Sequence, residues 1–193
     1  MRNREVRMKP IGFVLLTGMM AMSGSLIAKD KQHIDPYVNG PADEGKLIQE
    51  IRHKLVTLPY YGVFDDLGFT VNGGMVTLEG AVTQPGFLKD NAEKTVREVE
   101  GVTNVVNHIE ILPLSANDDQ IRRAVYRAIY GDAALSTRYG YRAVPSLHII
   151  VKNGHVRLEG VVANQFDSNL ARIRANGVSG VFSLENDLKV EGK

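Results

Sequence analysis

The sequence predicts an α+β protein in which one small domain occurs twice in tandem. A ten-residue segment at 71–80 returns at 151–160 with six of the ten positions identical, and a helix-like stretch follows each copy. A Gly-Val-x-x-Val phrase comes next in both, beginning at Gly101 and at Gly177. A repeat of this length indicates two copies of one structural unit. We therefore expect two αββαβ domains, each with a three-stranded sheet packed against two helices.

The first 28 residues have the layout of a secretory signal peptide. Four basic residues precede an apolar run from 11 to 22, and small residues follow it. The run is too short to span a bilayer comfortably, so we expect export to the periplasm with cleavage after Ala28 or Ser25. An uncleaved N-terminal membrane anchor is the alternative. Residues 29–43 are polar, contain Pro36 and Pro41, and predict a flexible linker.

The composition excludes several classes of protein. The chain has no cysteine, which rules out a disulfide framework, a zinc finger and a thiol nucleophile. Loss of the four basic residues and one acidic residue within 1–28 changes the formal net charge from +1 to −2. A slightly acidic chain is a poor nucleic-acid binder, because phosphate binding needs a basic face. We expect no nucleic-acid partner.

Each domain is predicted to begin with a helix. In the second domain (117–191, domain 2), Asn117, Asp118 and Asp119 favour a helix start, and apolar residues then recur on one helical face. The first domain (44–113, domain 1) has the same pattern, and Pro59 ends it. The apolar faces are formed by Ile121, Ala124, Val125, Ala128 and Ile129 in domain 2, and by Leu47, Ile48, Ile51 and Leu55 in domain 1.

A β-hairpin is predicted after each first helix. Asn153-Gly154 is a strong two-residue turn signal, and residues 73–74 take its place in domain 1. With these turns, apolar partners meet on one face of each hairpin, and a shift of one residue would turn them outward. The predicted pairs are Val151 with Val156, Ile149 with Leu158, Val71 with Val76, and Phe69 with Leu78.

The second helix and the last strand complete each domain. Since Gly177 follows Gly160 by four residues fewer than Gly101 follows Gly80, we expect the second helix of domain 2 to be about one turn shorter, with an insertion at 182–184. Gly101 and Gly177 are expected to form left-handed helix caps. The final strands are predicted at 105–111 and 186–190. The buried helix faces are expected to hold Leu88, Ala92, Val96 and Val99 in domain 1, and Phe166, Leu170 and Ile173 in domain 2.

This order of elements and motifs resembles the BON domain, a family named for bacterial osmotic-stress and nodulation proteins. The resemblance covers both repeats. It implies an αββαβ fold, a periplasmic or envelope location, and binding of phospholipid or membrane surfaces without catalytic activity. The glycines that serve as structural markers of the motif are Gly74, Gly80, Gly101, Gly154, Gly160 and Gly177.

An arginine- and tyrosine-rich segment at 120–142 is the best candidate for a binding site. It has five arginines, including Arg138 and Arg142, against the single acidic residue Asp132. Guanidinium groups bind phosphate and tyrosine rings favour the membrane interface. The residues predicted to contact anionic phospholipid are Arg122, Arg123, Tyr126, Arg127 and Tyr130. Two alternatives remain: an ordinary solvated face with tyrosines packing partly inward, and a scaffolding module that binds other envelope proteins.

Two sets of polar residues could suggest catalysis. Glu79 and Glu159 occupy equivalent places, but nothing in the sequence brings them together, so both are interpreted as solvated strand residues. His148 should face Glu159 across the hairpin, with His155 near the turn, as an exposed pair. No third ligand and no catalytic motif accompany them. We expect no enzymatic activity, metal or cofactor.

An aromatic loop follows the first helix of domain 1. It contains Tyr60, Tyr61 and Phe64. These rings could lie at an interface or cover the core of their own domain, and the second interpretation is favoured.

Overall fold

The computed structural model describes residues 38–39, 45–83 and 87–192, which belong to one compact unit. The predicted signal peptide and all of the predicted linker except 38–39 lie outside the described residues. In domain 1 the elements are β1 (Val38–Asn39), α1 (Gly45–Val56), β2 (Asp66–Asn72), β3 (Met75–Val82), α2 (Leu88–Arg97), β4 (Asn104–Asn107) and β5 (Glu110–Ile111).

Domain 2 repeats this order with one addition. Its elements are α3 (Ala116–Tyr130), α4 (Ala133–Tyr139), β6 (Leu147–Lys152), β7 (His155–Val162), α5 (Gln165–Asn176), β8 (Ser183–Asn186) and β9 (Lys189–Val190). The predicted α+β class and tandem αββαβ order are confirmed. The short helix α4 was not predicted; Asp132 caps its start by accepting the backbone N–H groups of Ala134 and Leu135.

The two sheets have matching topology. The hairpin strands pair antiparallel, and the third strand pairs in parallel with the second hairpin strand in two pieces: β4 and β5 with β3, and β8 and β9 with β7. The predicted register is confirmed at all four apolar pairs. Both hairpin turns have positive φ at their central residues, +57° and +81° at 73–74 and +53° and +79° at 153–154. The turn chemistry of the sequence therefore fixed the register correctly.

Gly80 shows why its position in the motif requires glycine. Its φ is +117°, and a Cβ there would lie 2.2 Å from the carbonyl oxygen of Asp66. Gly160 has nearly the same φ, +116°. Any other residue would push the two hairpin strands apart.

The expected equivalence of Gly101 and Gly177 is wrong. Gly101 has a φ of +92°, but Gly177 has −78°; the left-handed residue in domain 2 is Gly180, at +91°. Backbone hydrogen bonds agree with this shift. The N–H of Thr103 donates to the carbonyl of Gly74, and the N–H of Phe182 donates to the carbonyl of Gly154, both at 2.8 Å. Residue n of α2 therefore corresponds to residue n + 79 of α5.

Two further predictions depended on that equivalence, and both are wrong. The second helix of domain 2 is longer than that of domain 1, 12 residues against 10, rather than one turn shorter. Residues 182–184 are not an insertion, because Ser183 and Leu184 are the first two residues of β8 and pair with β7. The Gly-Val-x-x-Val motif was assigned to the wrong glycine of domain 2, because Gly177 and Gly180 are both followed by valine.

Each domain has a core between one face of its sheet and its two long helices. Large side chains such as Ile51 and Leu78 in domain 1, and Ile129 and Leu158 in domain 2, are fully buried. A third, small cluster joins the domains: Ala81 and Leu112 from domain 1 pack with Ile150 of β6. The two repeats are therefore in contact as well as in tandem.

Candidate functional site

Helix α3 carries the predicted site residues and is anchored to the core along one side. Ser115 caps its start by accepting the N–H of Asp118 at 3.2 Å. Ile121, Val125 and Ile129 are buried against the sheet of domain 2. Residues on the opposite side, Arg123 and Arg127, are exposed.

Arg122 lies on the buried side of α3, contrary to the expectation that it faces away from the core. Only 3% of it is exposed. Its guanidinium donates hydrogen bonds to the carboxylate of Asp119 and to the carbonyl of Val151, both at 2.6 Å. Because Val151 is in β6, Arg122 ties the helix to the sheet through its two terminal guanidinium nitrogens, while its buried Nε has no hydrogen-bond partner.

The two tyrosines of α3 form a stacked pair on the side that faces domain 1. Their ring centroids are 4.7 Å apart. The Tyr130 hydroxyl donates to the carbonyl of Leu147 at 3.2 Å, and burial raises the pKa of Tyr130 to about 12. Tyr126 is 39% exposed and contacts Phe64 of domain 1. Tyr126 is thus the more accessible of the pair.

The exposed arginines of the 120–142 segment fall into two pairs: Arg138 and Arg142 form hydrogen bonds within the domain, whereas Arg123 and Arg127 have no ion pair within the described residues. Arg138 donates to both carboxylate oxygens of Asp167, and Arg142 donates to the carbonyl of Arg138. Arg123 and Arg127 have no ion pair with another residue of the described ranges. They line a depression of about 320 Å³ that is closed by Ser179 and Gly180. The unpaired guanidinium groups therefore lie on the outer side of α3.

Helix α5 presents apolar residues to the solvent where burial was expected. Phe166 is 68% exposed and Ile173 is 60% exposed. The residues that face the core are instead Asp167, Ser168, Ala171 and Ala175. Asp167 is fully buried because Arg138, Asn164 and the Tyr139 hydroxyl all donate to it. Apolar periodicity misplaced the face because it takes no account of a buried carboxylate that has hydrogen-bond partners.

The aromatic loop of domain 1 is part of the contact between the domains. Asp65 holds the loop by accepting the N–H and hydroxyl of Thr83, at 2.7 and 2.8 Å. The carbonyl of Val63 accepts the N–H of Ile149, in β6, at 2.8 Å. Val63 and Phe64 pack against the core of domain 2. Phe64 therefore covers a core, but that of domain 2, whereas Tyr61 packs on the core of domain 1 and Tyr60 is 76% exposed.

His148 is buried at this contact rather than exposed. Only 2% of it is accessible, although it does lie opposite Glu159 as predicted. Its Nδ1 donates to the carbonyl of Gly62 at 3.2 Å, so Nε2 accepts from the Tyr61 hydroxyl at 3.3 Å. Burial lowers the pKa of His148. Both ring nitrogens are engaged, which argues against a role as base or metal ligand.

A cavity of about 260 Å³ between the two sheets collects acidic side chains from both domains. Glu79 and Glu159, which were expected to lie apart, both line it; Glu79 is exposed as predicted, whereas Glu159 is partly buried. Burial raises the pKa of Asp66, and it raises the pKa of Glu159 to about 7. Glu159 also forms an ion pair with Arg157 at 2.6 Å, without hydrogen-bond geometry at Nε. The remaining charged residues of the lining are Asp187 and Lys189.

The acidic cavity lacks the geometry of a metal centre. Within the described residues, no three histidine or carboxylate side chains converge as ligands would. The sequence did not reveal that the back of the domain 2 hairpin is covered, which buries His148 and Ile150 and places Glu159 in the cavity. The signal for this was the presence of Ile150, an apolar residue on the otherwise polar face of β6.

None of the helices in the described part of the chain has the length and apolar character needed to cross a bilayer.

Comparison with known proteins matches both repeats to one family model. The BON domain matches residues 43–113 and 117–192. Osmotically-inducible protein Y of Escherichia coli strain K12 is 29% identical over 133 residues, which cover 65% of this chain and 62% of that protein. The chain thus matches less than two thirds of that relative's length.

Two solved structures of CdsD, a structural protein of the type III secretion system of Chlamydia trachomatis, are also similar. They show 12% and 13% identity, with TM-scores of 0.30 and 0.29. The matches cover 75% and 76% of this chain, and 96% and 94% of those chains. At such scores the likeness supports no further structural argument. The two family matches, together with two domains of one topology and register, show that this chain belongs to the BON domain family.

Proposed function

We propose that this chain is a non-enzymatic, exported protein of the cell envelope that binds anionic phospholipid surfaces through the helices of domain 2. The observation that carries the proposal is the pair of exposed arginines, Arg123 and Arg127, which have no ion pair within the described residues. Tyr126 is partly exposed beside them. Basic residues near an anionic surface each contribute about 1 kcal/mol, and arginine binds phosphate in a bidentate way.

Arg122 and Tyr130 support this surface from behind. Arg122 fixes α3 on β6, and Tyr130 stacks on Tyr126 while its hydroxyl is bonded to Leu147. Their role in the proposal is to position the exposed residues. The N-terminal sequence pattern supports the periplasmic location, and the osmotically inducible relative supports a role in osmotic stress.

Co-sedimentation with vesicles tests the proposal. Retention should rise with the fraction of anionic lipid and fall as salt is raised. The double variant Arg123→Ala/Arg127→Ala should lose about 2 kcal/mol of binding free energy, roughly thirtyfold in affinity. The matched control is Lys46→Ala/Lys54→Ala, which removes two exposed charges from the first helix of domain 1.

The outcomes separate the two functional interpretations. Equal retention by neutral and anionic vesicles would contradict the proposal, as would an equal loss in the lysine control. Specific recovery of an envelope protein in the absence of lipid, with no vesicle binding, would favour the scaffolding alternative.

A further inference from the structure

The outer side of α5 carries an exposed apolar stripe. Phe166, Leu170 and Ile173 are spaced by four and three residues, which places them on one side of the helix. Phe166 and Ile173 are 68% and 60% exposed, and Leu170 is half-buried. Large apolar side chains grouped on a surface mark interaction sites more often than single exposed ones do.

The apolar stripe is specific to domain 2, because the corresponding helix of domain 1 does not have it. The positions in domain 1 that correspond to Phe166, Leu170 and Ile173 are Phe87, Asn91 and Lys94. This equivalence rests on two observations. Ala92 and Ala171 are both fully buried, and the turn that follows each helix makes the same backbone hydrogen bonds at positions 79 residues apart. Domain 1 therefore keeps one aromatic residue and is polar at the other two places.

The two long helices of domain 2 also carry exposed positive charge. Arg172 is exposed on α5 and has no ion pair within the described residues. The only acidic residue of α5, Asp167, is fully buried. Helices α3 and α5 pack against each other and on the same core. Arg123 and Arg127 on α3 and the stripe on α5 therefore both lie on the sides of these helices that face away from that core. Apolar side chains within a basic surface complement an anionic bilayer, where rings enter the headgroup boundary and guanidinium groups remain at the phosphates.

We propose that Phe166 and Ile173 insert into the boundary between headgroups and acyl chains of an anionic bilayer, with Arg123, Arg127 and Arg172 on the surrounding phosphates. This inference rests on the proposed function and deepens it, because it assigns an apolar contact that salt does not screen. Domain 2 then lies with both long helices parallel to the membrane surface, and domain 1 stays in the aqueous phase.

A tryptophan reporter tests insertion directly. The chain has no tryptophan, so Phe166→Trp introduces a single fluorophore into the full-length protein. With vesicles of phosphatidylcholine and phosphatidylglycerol, its emission should shift to shorter wavelength, and lipids brominated near the headgroup end of the acyl chain should quench it. The matched control is Phe87→Trp, at the corresponding and similarly exposed position of domain 1 (63%); its emission should not change.

A second measurement removes the stripe. Phe166→Ala/Ile173→Ala changes two exposed side chains, so its melting temperature should stay near that of the unchanged protein, whereas partitioning onto the same vesicles should fall about tenfold. If the unchanged protein sediments with anionic vesicles but the reporter at 166 does not respond, the insertion is wrong and the proposed function stands. If the unchanged protein does not sediment at all, both are wrong. An emission shift that follows protein concentration without vesicles would identify a second copy of the chain as the occupant and overturn the proposal.

Discussion

Domain 1 buries Leu88 and exposes Lys94, whereas domain 2 buries Asp167 and exposes Ile173 at the same two positions of the fold. In domain 1 the start of the second helix is buried through Leu88. Hydrogen bonds of Lys89 with the carbonyl of Ile109 and with the side chain of Asn107 also hold this helix. In domain 2 it is held by hydrogen bonds from the added helix α4, whose Tyr139 hydroxyl donates to Asp167 at 2.6 Å and accepts the N–H of Ala163 at 2.9 Å. A buried polar network thus replaces part of the apolar anchoring, and Phe166 and Ile173 of α5 are exposed.

The hairpins differ in a related way. The back of β2 has Gly68, Thr70 and an exposed Asn72, whereas β6 has His148 and Ile150 buried at the corresponding places. One face of each sheet packs on helices. Among the strands whose burial is described, β2 to β9, β6 alone is buried on both faces along most of its length. The contact between the domains thus uses residues on the back of one hairpin that differ from those of the other, while both hairpins have the same register.

The largest expected effect comes from removing Asp167, the buried carboxylate through which Arg138 and Tyr139 hold α5. Asp167→Ala should lower the free energy of unfolding by about 4 kcal/mol, because the buried Tyr139 hydroxyl and the Arg138 guanidinium lose their shared acceptor. Urea denaturation measures this change. Asp167→Leu, which introduces the domain 1 residue, should be nearly as destabilising; a stable Asp167→Leu protein would show that hydrogen bonds do not hold α5.

The next effect concerns the apolar contact between domains. Ile150→Thr introduces the residue that domain 1 has at this position and weakens the packing against Ala81 and Leu112. We expect a loss of about 2 kcal/mol and a broader or divided thermal transition in calorimetry. Ile111→Thr, at a residue 40% exposed, is the matched control and should change stability by less than about 0.5 kcal/mol.

The sequence predicted what depends on neighbours along the chain. The alternation of Ile149, Val151, Val156 and Leu158 around an Asn-Gly turn determined the hairpin register, because each strand has one face that must be buried. The prediction of which side of α5 is buried was wrong, because that side depends on residues distant along the chain. Its buried residue, Asp167, is acceptable only because of donors on α4, which come from a distant part of the sequence.

The candidate site was predictable to a similar extent. The placement of Arg123 and Arg127 opposite the apolar stripe of α3 follows from helical periodicity alone. The burial of Arg122 and His148 does not, since each depends on a partner supplied by tertiary contact: the carbonyl of Val151 in one case and the loop at 61–62 in the other. The apolar and polar periodicity of one domain therefore gives little information about which of its surfaces contact the other domain.

The pH dependence of stability should distinguish the two equivalent glutamates. Burial raises the pKa of Glu159 from 4.5 to about 7, so the folded state prefers the protonated form. The stabilisation that this provides is complete below the unfolded pKa and is lost as the pH rises through about 7. Glu159→Gln should therefore be more stable than the unchanged protein at pH 8.5, by about 1 kcal/mol after allowance for solvent screening, and nearly equal at pH 4.5.

Melting temperatures across this pH range measure the effect. Glu79→Gln, at the corresponding but exposed position of domain 1, is the control. Because burial lowers the pKa of His148, the opposite trend should appear below its unfolded pKa of 6.5, where protonation favours the unfolded chain. A Glu159→Gln profile parallel to that of the unchanged protein would contradict the assignment.

The smallest expected effect concerns the ion pair between the domains. Lys152 of β6 contacts Glu110 of β5, and 48% of each side chain is exposed. Solvent and the conformational entropy of two long side chains offset most of the attraction, so a double-mutant cycle of Lys152→Ala and Glu110→Ala should give a coupling free energy below about 0.5 kcal/mol. Such a value would leave Ile150 and the hydrogen bonds of the loop at 61–63 as the main determinants of how the domains dock. A coupling above about 1 kcal/mol that disappears in high salt would show instead that charge holds the two domains together.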